Sequence, residues 1–93
     1  MQLLNSQEIK KQVALITQWN IDAGMLCKEI HFKSFRNAID YINKIATVSE
    51  ENQHHPIIIN SYLSVVIKLT TNDVNGLTQK DFDLAKLIDQ ISL

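Results

Sequence analysis

Apolar residues recur through the middle of the chain with a helical period. Phe35, Ala38, Ile39, Ile42, Ile45, Ala46 and Ser49 fall on one face at i, i+3, i+4, i+7 spacing, which predicts an amphipathic α-helix with one side toward a core. Ser34 stands where an N-cap belongs, its hydroxyl suited to accept from a free N–H of the first turn. Tyr41 and Val48 lie off that stripe, either as isolated surface apolars or as part of a helix-mediated contact between copies. Pro56 marks the far limit, because it has no N–H to donate and biases His55 before it toward extended backbone.

The flanking segments carry a different period. From Met25 to Phe32 apolar and polar residues roughly alternate, with Leu26, Ile30 and Phe32 on one face and Glu29 and His31 on the other, which predicts a strand with one wet side. Ile57-Ile58-Ile59 and Val65 to Thr71 are β-branched runs, and Asn60 to Ser64 reads as the hairpin connection between them. Asp22-Ala23-Gly24 and Asn75-Gly76 read as turns. Asn5 with Glu8, and Thr78 with Asp81, have the spacing of capping boxes. The first opens a helix carrying Ile9, Val13 and Ile16; the second opens one carrying Phe82, Leu84, Ala85, Leu87, Ile88 and Ile91. The order helix, two strands, helix, two strands, helix predicts an α+β fold (α-β-β-α-β-β-α): a four-stranded antiparallel sheet with helices packed on one face.

Composition narrows the function classes. The 93 residues suffice for one core, so residues 1–93 are read as a single domain. Net charge is -1 with the two signs interspersed, so there is no basic patch to suggest nucleic acid and no basic amphipathic face to suggest a membrane surface. No apolar run approaches the roughly 20 residues needed to span a bilayer. Cys27 has no second cysteine to pair with and the N-terminus lacks the pattern of a signal peptide, which points to the cytoplasm. Lys28 is the only basic residue beside Cys27 and faces the opposite side of a strand, so no reactive thiol is expected. Trp19 reads as core or sheet packing and His31 as solvated.

Chemistry concentrates in Glu50-Glu51-Asn52-Gln53-His54-His55-Pro56, which holds two of the three histidines. Imidazole has an unperturbed pKa of about 6.5, so it gives and takes protons near neutrality. Three readings apply to the pair. One histidine can cap a helix C-terminus, where the macrodipole favours a cation. A metal site needs further ligands, and none stands at a suitable spacing. Proton transfer to a bound substrate is the third.

The wider spacing carries a resemblance. An acidic residue, three spacers, His, His or Asn, Pro, five or six spacers, an aromatic, nine spacers, His or Trp, and a later Asp describe the pterin-4a-carbinolamine dehydratase family. Glu50, His54, His55, Pro56, Tyr62 and Asp81 match in register. Trp19-Asn20, His31-Phe32-Lys33-Ser34-Phe35 and the stretch from Gly76 to Ala85 are also similar to family segments. Asn72 departs from the pattern where His or Trp is expected; an amide hydrogen-bonds but does not titrate, so no acid or base stands there.

The resemblance implies dehydration of a 4a-hydroxytetrahydropterin, the carbinolamine released by aromatic amino acid hydroxylases, to quinonoid dihydropterin in tetrahydrobiopterin recycling, with no metal and no organic cofactor. It implies His54 as general acid, His55 binding and orienting the pterin, and Glu50 fixing the pair or the ring. Tyr62 would form a pocket wall and Asn72 a hydrogen-bonding group, while Pro56 and Asp81 complete the motif, Asp81 being at least as well explained as a cap. It also implies homodimers formed by pairing sheet edges, or tetramers formed through helices. Val65 to Thr71 would be an exposed edge if unpaired. The alternative within the same family is a catalytically weak or silent member that serves as a transcriptional cofactor or a protein-binding and assembly module.

Overall fold

The computed structural model describes residues 1–93. In chain order the elements are α1 (Ser6–Val13), β1 (Asn20–Asp22), β2 (Met25–His31), α2 (Phe35–Asn52), β3 (Ile57–Ser61), β4 (Ser64–Leu69), a single 3-10 turn (Asn72–Val74) and α3 (Gln79–Asp89). The order and the α+β class are those expected from the periodicities. Local signals act where they were located: Asn5 and Glu8 exchange side-chain to main-chain hydrogen bonds at 2.9 and 2.8 Å. Ser34 Oγ accepts from the Asn37 N–H. Each satisfies donors that a helix start leaves free.

The four strands form one antiparallel sheet in the order β1-β2-β4-β3. Val65, Ile67 and Leu69 of β4 and Leu26 of β2 point into the core, against Ala38, Tyr41 and Ile45 of α2 and Phe82, Leu84, Ala85 and Ile88 of α3. Strand β4 is therefore central, paired on both sides, and not the exposed edge envisaged for Val65 to Thr71. Strand order is set by long-range pairing, which periodicity does not report. Strand β1 is only three residues long, too short to show alternation.

Two further expectations change. The hairpin connection is Tyr62-Leu63 alone, not Asn60 to Ser64. Asn60 Nδ2 donates to the Tyr62 and Ser64 carbonyls and so holds the tight turn that puts Tyr62 at φ 49°. On α2 the buried residues are Ala38, Tyr41, Ile45 and Ser49, while Phe35 is 48% exposed. The inward arc is turned toward Tyr41, whose ring packs on Phe32 with centroids 5.2 Å apart. The apolar arc of this helix is wider than the contact it makes. Packing against the sheet and α3 together, and not the periodicity, selects which part is buried.

Candidate active site

Helix α2 ends in a Schellman-type turn. Gln53 takes the left-handed conformation at φ 50° and the His54 N–H donates to the Ser49 carbonyl at 3.1 Å. Pro56 then directs the chain into β3. The turn aims the two histidines apart. His54 turns inward, its side chain 12% exposed, with Nε2 2.6 Å from Asp81 Oδ1. His55 stays in solvent, with Nε2 3.5 Å from Glu50 Oε2, both side chains mostly exposed.

Asp81 is completely buried at the start of α3. Its Oδ2 accepts from the Thr78 N–H at 2.9 Å and from Thr71 Oγ1 at 2.8 Å. Thr71 and Thr78 hydroxyls are 2.9 Å apart. A carboxylate only accepts, so the Thr71 proton is committed to Asp81 and Thr78 must donate to Thr71. Asp81 thus serves as helix cap through one oxygen and as histidine partner through the other. With Nε2 donating to Asp81, His54 Nδ1 is the nitrogen left for other chemistry.

A polar cleft of about 220 Å³ opens beside this pair, lined by His54, His55, Thr71, Asn72, Asp73 and Lys80 among others. It brings together His54, His55 and Asn72, with Glu50 reaching the rim through His55. Tyr62 does not line it. That ring sits 70% exposed at the hairpin tip, stacked on Phe35 with centroids 6.4 Å apart. Thr71 and Thr78 escaped the sequence reading; the only signal was Thr78 as the first residue of a capping box.

A second cleft, about 340 Å³, lies at the other end of the sheet, between β2 and the end of α3. Its lining holds a partly buried ion pair, Lys28 Nζ to Asp89 Oδ1 at 2.8 Å. Asp89 also accepts from Trp19 Nε1 and from the Thr17 N–H, and Lys28 lies over the Trp19 ring. The cluster ties the loop before β1 to α3, so the expectation that Trp19 packs in the core holds. Burial, reinforced by the negative charge of Asp89, pushes the Tyr41 phenol up to about 12. His31 is exposed beside Glu29 at 3.1 Å, as expected of a solvated face.

The architecture is that of an α+β protein with an imidazole–carboxylate pair at the edge of a polar cleft. The sequence profile of the pterin 4 alpha carbinolamine dehydratase family matches residues 2–91, and the chain belongs to that family. Curated relatives bearing the family's name include one from Cyanothece sp., 45% identical over 91 residues that cover 98% of this chain and 94% of the relative. Another, from Sulfolobus acidocaldarius, is 36% identical over 88 residues, covering 95% and 97%. The crystal structure of a transcriptional coactivator/pterin dehydratase from Brucella melitensis superposes with a TM-score of 0.89 at 25% identity, covering 94% of this chain and 95% of that one. A pterin dehydratase-like RuBisCO assembly factor of the alpha-carboxysome shares the fold, with a TM-score of 0.67 at 24% identity over 78% of this chain and 87% of that one.

Proposed function

We propose that the chain dehydrates 4a-hydroxytetrahydropterin to quinonoid dihydropterin in the cytoplasm. The observation that carries the reading is His54, held by a buried carboxylate at 2.6 Å and bordering a polar cleft. Loss of the C4a hydroxyl requires a proton on that oxygen, and N5 must release one. As imidazolium, His54 delivers its Nδ1 proton to the departing hydroxyl while Asp81 stabilises the cation through Nε2. The emptied Nδ1 then accepts the N5 proton as the C4a=N5 bond forms, so water leaves and His54 returns to its starting state. General acid–base assistance of this kind contributes about 10²–10⁴-fold. His55, braced by Glu50, and Asn72 orient the ring by hydrogen bonding; Tyr62 has no part in the cleft formed by a single chain.

The second reading, a binding or transcriptional cofactor module, is favoured by Asn72, an amide that cannot titrate where the family pattern has His or Trp. One assay separates the two: dehydration of 4a-hydroxytetrahydropterin by the purified protein, His54→Ala and Asn72→His. Acceleration by the wild type that His54→Ala abolishes supports the enzyme; no acceleration by the wild type sinks it.

A homodimer is part of the proposal, through the open edge of β2 in place of β4. The Phe32 N–H bonds to Leu63 toward β4, so by alternation the main-chain groups of Glu29 and His31 face the other way. There β1 covers only Met25 to Cys27. Antiparallel pairing about Ile30 of two copies would set Glu29 opposite His31 of the second copy, where a carboxylate and an imidazole can hydrogen-bond across the seam and favour the register. Light scattering that finds a monomer at micromolar concentration contradicts it.

A further inference from the structure

We propose that Thr71 is a positioning residue for His54, acting through Asp81. The two are linked by a continuous run of hydrogen bonds: Thr78 Oγ1 to Thr71 Oγ1, Thr71 Oγ1 to Asp81 Oδ2, and His54 Nε2 to Asp81 Oδ1, at 2.9, 2.8 and 2.6 Å. Each proton in it has one possible direction, because the carboxylate accepts at both oxygens. The Thr78 N–H, at the same Oδ2, comes from main chain at the helix start and holds that oxygen near the cap. One donor leaves the carboxylate plane free to turn about that contact. The Thr71 hydroxyl is the second donor to Oδ2, and it is the one that sets the plane and so aims Oδ1 at His54. Thr71 is itself 4% exposed, and in Thr71→Val a methyl group fills the place of the hydroxyl, so water does not take over the lost bond. Position and tautomer of the reactive nitrogen therefore depend on a hydroxyl whose own proton is committed to Asp81.

The kinetic consequence rests on the dehydratase reading; the structural one does not. Thr71→Val keeps the shape and removes the donor, Thr71→Ser keeps the donor, and Thr78→Val deletes a hydroxyl from the same buried cluster while leaving the Thr71–Asp81 bond in place. In the proton NMR spectrum of the wild type, the His54 Nε2 proton should be a protected, far-downfield signal. The expected result is that this signal is lost in Thr71→Val and kept in both Thr71→Ser and Thr78→Val. In turnover, Thr71→Val should lower kcat by roughly tenfold to a hundredfold, the size of effect expected of a misplaced catalytic group, with KM unchanged, and Thr71→Ser should restore it. Should Thr71→Val not accumulate as folded protein, Thr71→Cys keeps the size with a weak donor and should weaken the signal. An unaltered His54 signal in Thr71→Val or Thr71→Cys, or an equal loss in Thr78→Val, overturns the proposal. If the wild type shows no turnover, the NMR result still decides it, and the dehydratase reading fails separately.

Discussion

Replacing Asp81 by asparagine tests the centre of the site most directly. The carboxylate is fully buried and accepts three hydrogen bonds, from His54, Thr71 and the Thr78 main chain. An amide has one oxygen. Turned toward Thr71 and Thr78, that oxygen satisfies both donors but leaves the NH₂ facing His54 Nε2, which must give up its proton to accept. Two charge-assisted bonds become neutral, each weaker by about 1 kcal/mol, and the contact with an imidazolium is lost. The sum is a destabilisation of about 2–4 kcal/mol, at or below the roughly 3–5 kcal/mol typical of breaking a wholly buried ion pair, because His54 keeps some contact with water and has a neutral form to adopt. For a domain of this length that lowers Tm by roughly 10–25 °C. Turnover should fall by about 10²–10⁴-fold, since the neutral imidazole now carries its proton on Nδ1 and has no carboxylate to support its cation. Calorimetry with steady-state kinetics on the same preparation checks both. An Asp81→Asn protein with wild-type Tm and wild-type kcat would refute the reasoning.

Three other outcomes follow from the same structure. Ser49 Oγ is buried without a hydrogen-bond partner, so Ser49→Ala should raise stability by about 1 kcal/mol in urea unfolding; a loss of that size would mean the hydroxyl has a role. Gln53 sits at φ 50°, a conformation that costs a residue with a Cβ about 1 kcal/mol or more. Gln53→Gly should therefore stabilise the fold by roughly 0.5–1 kcal/mol after the added flexibility of the unfolded chain is subtracted, with the unfolding midpoint as readout. The Tyr41 phenol is pushed from 10.0 up to about 12 by burial and by Asp89, so its neutral form is favoured in the folded state. Its contribution is fully present below pH 10 and is lost as pH rises from there toward 12, on the order of 3 kcal/mol in all. Unfolding curves at stepped alkaline pH should show that loss for the wild type and a smaller one for Tyr41→Phe; equal loss in both assigns it to other groups.

Much of the fold was legible because its signals are short-range. The capping pairs Asn5–Glu8 and Thr78–Asp81, the stop at Pro56 and the alternation in β2 each involve groups within about one turn or two residues. Their geometry follows from local backbone sterics and hydrogen bonding. The turn at Tyr62 was overestimated in length because the restraint that tightens it, the Asn60 amide reaching across to Ser64, is invisible in composition. Asp81 was legible as a cap, and as such it is correctly described; that its second oxygen holds His54 was not.

What the sequence determined by itself is the order of elements, the family, and the placing of His54 where α2 must end. What only the tertiary structure decided is which groups meet. His54 and Asp81 are 27 residues apart, and their contact exists because α3 packs beside the end of α2 over β4. The same packing put β4 in the middle of the sheet, turned Tyr41 inward in place of Phe35, and separated Tyr62 from the cleft. The reason is one of range. Periodicity and caps report forces between near neighbours in the chain, whereas strand order, the buried arc of a helix and a carboxylate aimed at an imidazole are settled by how elements pack against one another.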